Sequence, residues 1–214
     1  MSTGSEGIAV DYKCITYEIL DTGSLVRITL NRPEARNAQN LELLVELNDA
    51  FLRAEADDDV RVVILAGSGK SFSAGHDIGA SRDQVQEMGP TQGWKLFFHQ
   101  DDHGGSRLGR EGHYLSEWHY FFQSTLRWRN LRKITIAQVQ GTVYAAGLML
   151  MWACDLIVCA DNAAFVDVVG TRLGMCGVEY FAHPWEFGPR KTKELMLTGD
   201  AMDVDEAHRI GMVS

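Results

Sequence analysis

The sequence lacks several features that mark membrane, secreted and nucleic-acid-binding proteins. Its longest strongly apolar run, residues 143–154, is shorter than the roughly 20 residues that a membrane-spanning helix needs. Residues 1–14 also lack the basic-then-apolar pattern of a secretion signal. Basic residues are in deficit, with 20 Lys and Arg against 29 Asp and Glu among 214 residues. We therefore expect a cytoplasmic protein that binds neither membranes nor nucleic acid.

Cysteine is scarce as well, and none of the four cysteines belongs to a C-x-x-C motif. Cys154 and Cys159 lie in apolar segments, where a thiol behaves as a small hydrophobic side chain. We therefore expect no disulfide framework. The seven histidines include no H-E-x-x-H motif and no cysteine partners at zinc-binding spacing, so we expect no metal ion.

The order of helix and strand patterns predicts an α/β fold in one domain over residues 1–214. Two β-prone stretches, Ile15–Leu20 and Leu25–Leu30, flank a turn-rich segment and predict a hairpin. Helical periodicity then alternates with short strands of the buried type. The predicted elements are a helix from Leu41 to about Asp57, strand Val60–Ala66, helix Glu117–Asn130, strand Ile134–Gln140, helix Ala145–Cys154 and strand Leu156–Ala160. A last helix is predicted to begin with Asp203 as its N-cap and Glu206 as the capping-box partner, and to end near Gly211. Between Gly79 and about Gly112 no pattern is visible, which predicts a long loop.

Two turns made of small residues follow predicted strands, in the segments Ser71–Ile78 and Ile136–Gly147. In open α/β sheets, ligands bind at the carboxyl ends of the strands. Small residues let backbone N–H groups approach a ligand closely, so the two turns together could form an oxyanion hole. The nearby Gly67–Ser71 is similar to part of a phosphate-binding P-loop, but Ile64 stands where that motif needs its first glycine.

At these residues the chain resembles the crotonase, or enoyl-CoA hydratase/isomerase, superfamily, from about Val26 to Ser214. Four blocks carry the resemblance by their joint order and spacing: Asn31–Ala38, Phe72–Asp77, Gln138–Asp155 and Thr198–Val213. It implies the crotonase-like (ClpP/crotonase) α/β fold, a superhelical spiral of ββα units. Members of the family normally continue into C-terminal helices that build a trimer or a dimer of trimers. We therefore expect that helical segment to be missing here, and keep a homo-trimer or hexamer as the expected assembly.

The resemblance also implies an acyl-CoA substrate, with no cofactor beyond the CoA moiety. It implies that the backbone N–H groups of His76 and Ala146 hold the thioester oxygen. The CoA moiety is implied to contact residues of two loops, which are Arg36, Asn37, Ala38, Ala74, Asp77 and Ile78.

The two glutamates that hydratases of this family use for proton transfer are not in their usual positions. Met149 occupies the first position, and the window Val168–Thr171, where the second falls, contains no acidic residue. Glu179 is the candidate acid/base residue, because apolar neighbours raise a carboxyl pKa towards useful values. Pairing of Glu179 with Arg190 or Lys191 is the alternative interpretation.

Other side chains near these segments are weaker candidates for a catalytic role. Asp167 precedes the acid-free window, and we expect it to cap a helix rather than to catalyse. Tyr144 could donate a hydrogen bond near the second turn, although an aromatic residue beside a buried helix is typically part of the core. Cys176 and His183 would form a nucleophile and base only if the fold brought them together.

The sequence thus predicts an acyl-CoA enzyme of the enoyl-CoA hydratase/isomerase type that stabilises a thioester enolate. Two alternatives remain. One is an acyl-CoA hydrolase of the same superfamily. The other is a catalytically impaired acyl-CoA binding protein, suggested by Met149.

Overall fold

The computed structural model describes residues 11–77, 110–173 and 180–214. Ile78, Cys176, Glu179 and the part of the predicted loop from Gly79 to residue 109 lie outside the described residues. The described strands form two sheets, a larger one in the order β1-β2-β3-β4-β6 and a smaller one in the order β5-β7-β8. The strands are β1 (Ile15–Leu20), β2 (Leu25–Leu30), β3 (Val62–Gly67), β4 (Ile134–Val139), β5 (Thr142–Tyr144), β6 (Leu156–Cys159), β7 (Ala164–Val166) and β8 (Met202–Asp203).

The described helices alternate with these strands along the chain, as expected for an α/β fold, and the last helix follows β8. They are α1 (Leu41–Ala56), α2 (Arg110–Glu117), a π-helical segment (Trp118–Gln123), α3 (Ser124–Arg129), α4 (Ala146–Trp152), a short π-helical turn (Val169–Leu173), α5 (His183–Glu186), α6 (Pro189–Thr198) and α7 (Val204–Arg209). None of the helices within the described ranges is long and apolar enough to cross a membrane. No group of three His, Cys, Asp or Glu side chains within those ranges could hold a metal ion.

The larger sheet begins with the predicted hairpin, which is confirmed: β1 and β2 pair antiparallel, with Ile15 opposite Leu30. The pairs β2·β3, β3·β4 and β4·β6 are all parallel. Parallel neighbours require crossover connections, so the carboxyl ends of β3 and β4 lie at the same edge of the sheet. The segments that follow these two strands are therefore brought together.

Helix α1 covers this sheet with the apolar face that its spacing predicts. Leu44, Leu47 and Phe51 are buried, and Phe51 stacks on Trp128 of α3 with 5.5 Å between ring centroids. The helix begins at Asn40, whose side chain accepts a hydrogen bond of 2.9 Å from the Leu43 N–H. An N-cap of this kind stabilises a helix by about 1 kcal/mol.

Two predictions about helix ends need correction. The helix predicted from Glu117 begins earlier, at Arg110, and contains the π-helical segment. Asp203 is confirmed as the N-cap of α7, since its side chain accepts from the Glu206 N–H at 2.9 Å. The predicted return bond from the Glu206 side chain is wrong, because that carboxylate accepts hydrogen bonds from Arg209 instead.

Candidate functional site

The two turns predicted to bind a ligand lie in contact. Ser73, after β3, forms a parallel bridge with Val143 of β5, and its carbonyl accepts a hydrogen bond of 3.0 Å from the Tyr144 N–H. Gly75 has a φ of +82°, and a Cβ built on it would lie 2.7 Å from the Tyr144 carbonyl oxygen and 3.2 Å from the Ala146 nitrogen. Only glycine permits this approach, which places the two proposed oxyanion donors beside each other.

The backbone of His76 is oriented by a bridge to Gln39. The Gly75 carbonyl accepts from the Gln39 N–H at 2.8 Å, and the Asp77 N–H donates to the Gln39 carbonyl at 3.0 Å. In a parallel bridge of this pattern, the polar backbone groups of the central residue point away from the partner strand. The N–H of His76 therefore points away from Gln39.

The second predicted donor, the N–H of Ala146, lies where β5 passes into α4. Ala145 has a φ of +46° and a ψ of −116°, a conformation that side-chain-bearing residues rarely adopt. Its N–H donates to the Val166 carbonyl at 2.9 Å, which ties this turn to β7. Ala146 is then the first residue of α4, and first-turn N–H groups have no acceptor within their own helix.

In the loop predicted to contact CoA, the side chain of Asn37 stabilises the structure. Asn37 is fully buried, and its side-chain amide donates to the carbonyls of Ser68, Ser71 and Phe72 at 2.8–3.1 Å. Its Oδ1 accepts from the Arg32 N–H at 2.9 Å. The amide is thus turned inward and ties two loops together, which the sequence analysis did not foresee.

The other described residues of this predicted contact set, which are Arg36, Ala38, Ala74 and Asp77, lie at the same place in the fold. Arg36 is exposed, and its carbonyl accepts from the Ala74 N–H at 2.9 Å. The Arg32 guanidinium donates to the Asp77 carboxylate at 2.7 Å and to the Ala38 carbonyl at 2.6 Å. The two loops therefore form one surface next to the turns.

The side chain of His76 has two neighbours on the helical segment that precedes α3. Oε1 of Glu117 lies 3.5 Å from Nδ1 of His76, and the Glu117 side chain is 3% exposed. Phe121 stacks on the imidazole with 3.8 Å between ring centroids and 5° between ring planes. No local pattern in the sequence joins these residues, so the sequence analysis missed Glu117.

Helix α4 brings an apolar side chain to the position where the sequence analysis expects a glutamate. Met149 is buried at 6% exposure, and every residue from Ala146 to Trp152 is buried. The predicted buried helix is confirmed. Tyr144 is half-buried beside the second turn.

Asp167 follows β7 and has two strong hydrogen-bond donors. Its Oδ1 accepts from the N–H of Val169, the first residue of the short π-helical turn, at 2.9 Å. Nε2 of the buried His183 lies 2.6 Å from its Oδ2, a pairing that the sequence did not indicate. Burial raises the pKa of Asp167, but the hydrogen bonds from His183 and Val169 outweigh that effect and leave the pKa below its ordinary value. The predicted partner of His183, Cys176, lies outside the described residues.

Comparison with known proteins gives the same fold and family. The model of the enoyl-CoA hydratase/isomerase family matches residues 21–96 and 99–214. The protein named putative enoyl-CoA hydratase EchA13, of Mycobacterium tuberculosis, is 58% identical over 204 residues, which cover 95% of this chain and 63% of that protein. The crystal structure of a probable enoyl-CoA hydratase from Mycobacterium smegmatis superposes with a TM-score of 0.77 at 44% identity, covering 94% of this chain and 70% of the other.

A more distant relative has a different named reaction. The 4-chlorobenzoyl coenzyme A dehalogenase-2 of an Arthrobacter species is 29% identical over 194 residues, or 90% of this chain and 63% of that protein. The chain thus spans less than two thirds of the length of EchA13 and of the dehalogenase. On the family match, the identities and the crotonase fold, the chain belongs to the enoyl-CoA hydratase/isomerase family.

Proposed function

We propose that this chain is an acyl-CoA enzyme of the enoyl-CoA hydratase/isomerase type, which stabilises a thioester enolate between the N–H groups of His76 and Ala146. The observation that carries the proposal is the contact of the two turns, where a Cβ on Gly75 would lie 3.2 Å from the Ala146 nitrogen. Two preorganised donors on a developing oxyanion typically contribute several kcal/mol to catalysis. The names of the relatives agree with this reaction class.

For the CoA moiety, we propose the surface formed by the two loops next to these turns. Arg36 is exposed and available to a polyanionic ligand, and Ala74 is joined to it by a backbone hydrogen bond. Ala38, Asp77 and Ile78 complete the set. The buried amide of Asn37 would hold this surface in place without contacting the ligand itself.

Glu179 remains one proposed acid/base residue of the site. Lys191, one of its alternative partners, already contacts Glu194 at 2.9 Å and Glu206 at 3.3 Å. If Glu179 transfers a proton, Glu179→Gln slows turnover by about 10²- to 10⁴-fold. Glu194→Gln, on the exposed side of α6, is the matched control and leaves turnover unchanged.

The test of the function is the loss of enoyl absorbance when the protein meets a short 2-trans-enoyl-CoA, with the product identified by mass. Gain of one water supports a hydratase, and a product of unchanged mass with a shifted double bond supports an isomerase. Release of free CoA would support the hydrolase alternative. Binding of the thioester without any reaction would contradict the proposal.

A second candidate function rests on Met149. A thioether cannot transfer a proton, and this one is buried in α4, three residues after the proposed second donor, Ala146. This favours a protein that binds acyl-CoA without turning it over. The same assay decides between the two, because a binding protein would give a dissociation constant for the thioester but no product.

For the cellular setting we propose a cytoplasmic homo-trimer or hexamer that acts in fatty acid metabolism and needs no cofactor besides the CoA of its substrate. Exposed apolar side chains support an assembly, since Trp185 is 82% and Leu197 is 78% exposed. Analytical ultracentrifugation of the protein at micromolar concentration tests this. A monomer would contradict it.

A further inference from the structure

A buried carboxylate lies against the residue that supplies the first proposed oxyanion donor. Glu117 ends α2 with a side chain that is 3% exposed, and its Oε1 is 3.5 Å from Nδ1 of His76. Phe121, one helical turn further along, covers the same imidazole. This segment therefore packs on the side chain of His76, while the backbone N–H of that residue points away from Gln39.

The proposed hole defines where the reacting carbons lie. A thioester oxygen bound to the His76 N–H lies about 2.9 Å from that nitrogen. The carbonyl carbon and Cα follow within two bonds of the oxygen, so Cα lies next to His76. Glu117, which packs against the side chain of His76, therefore shares a neighbour with the atom whose proton is exchanged.

Two other acidic residues near the turns are held by strong partners. Asp77 is in an ion pair with Arg32 at 2.7 Å, and Asp167 accepts from His183 at 2.6 Å. These short contacts stabilise the loop surface and the end of β7. Glu117 contacts His76, the residue that supplies the first proposed donor, through its side chain.

We propose that Glu117 is an acid/base residue of this site and transfers a proton at Cα of the bound thioester. The inference deepens the proposed function and rests on it. In hydration, the Glu117 carboxylate takes a proton from water as the water oxygen bonds to Cβ. The π electrons of the double bond move to Cα and the thioester oxygen, giving an enolate held by the two N–H groups. The enolate then takes that same proton from Glu117 at Cα, so that one water is added and the carboxylate is restored.

The test is exchange of the Cα protons of butyryl-CoA in D₂O, followed by mass, which needs neither a double bond nor the addition of water. We expect Glu117→Gln to slow this exchange by about 10²- to 10⁴-fold, with the dissociation constant for butyryl-CoA changed by less than about twofold. Glu111→Gln, on the exposed side of the same helix, is the matched control and should exchange at the wild-type rate.

Glu117→Asp keeps the carboxylate but shortens its reach, and it serves if the Gln variant does not fold. We expect it to exchange faster than the Gln variant and more slowly than the wild type. Wild-type exchange in both variants would overturn the role of Glu117 and leave the proposed function standing. A wild-type protein that binds thioesters but neither exchanges Cα protons nor converts enoyl-CoA would refute the proposed function, and this inference with it.

Discussion

The buried amide of Asn37 allows a quantitative prediction about the loops that carry the site. Its two N–H groups are shared among the carbonyls of Ser68, Ser71 and Phe72, and its oxygen accepts from the Arg32 N–H. Asn37→Ala therefore removes the hydrogen bonds of two N–H groups and one oxygen, which count as three bonds, from a fully buried position. At about 1 kcal/mol net for each bond, the free energy of unfolding falls by about 3 kcal/mol. The melting temperature of a protein of this size then falls by about 6–12 °C.

Urea unfolding followed by tryptophan fluorescence measures this change. Asn31→Ala is the matched control, because Asn31 is a neighbouring exposed residue whose contact with Cys14 uses only its backbone N–H. We expect the control to change the free energy of unfolding by less than about 0.5 kcal/mol. Asn37→Asp keeps the shape but sets a carboxylate against three carbonyl oxygens, so it should destabilise at least as much as Ala. A loss below about 1 kcal/mol for Asn37→Ala would refute this reasoning.

Three further predictions concern the turns and the buried pair. Gly75→Ala places a Cβ 2.7 Å from the Tyr144 carbonyl oxygen. It should lower thioester turnover by about 10²- to 10³-fold, as expected for loss of one oxyanion donor. Unchanged turnover would contradict the proposed oxyanion hole. Ala145→Gly relieves strain of about 1–3 kcal/mol at positive φ but costs about 0.5–1 kcal/mol through the unfolded state. For a net gain of about 1 kcal/mol, a scanning calorimeter should record a melting temperature higher by about 2–4 °C. A lower melting temperature would show that the turn is unstrained. The pKa of Asp167 is lowered in the folded protein, so its ionised form stabilises the fold at a pH above the unfolded-state pKa of about 3.9. This stabilisation is lost as the pH falls through the folded-state pKa. Asp167→Asn weakens the pair with His183 and should reduce this acid-induced loss of stability in urea titrations, whereas parallel stability curves for the variant and the wild type would exclude the pair as the cause of the loss.

Some features of the fold could be predicted because they depend on neighbours in sequence. The face of α1 follows from spacings of three and four residues, and the Asp203 N-cap from a side chain that reaches the N–H of Glu206. The early start of α2 was missed, because Gly112 and the polar residues around it obscure the helical periodicity. The Glu206 bond was misassigned because Arg209 competes for the same carboxylate.

For the site, the sequence by itself determined the two turns and the family, since small residues at Gly75 and Ala146 are a local requirement for backbone approach. It also determined that the helix after the second turn carries Met149 where an acid was expected. The tertiary structure alone decided which side chains meet there. Glu117 reaches His76 only because the helical segment before α3 packs on the turn after β3, and contacts between elements distant in sequence leave no local pattern from which packing can be predicted.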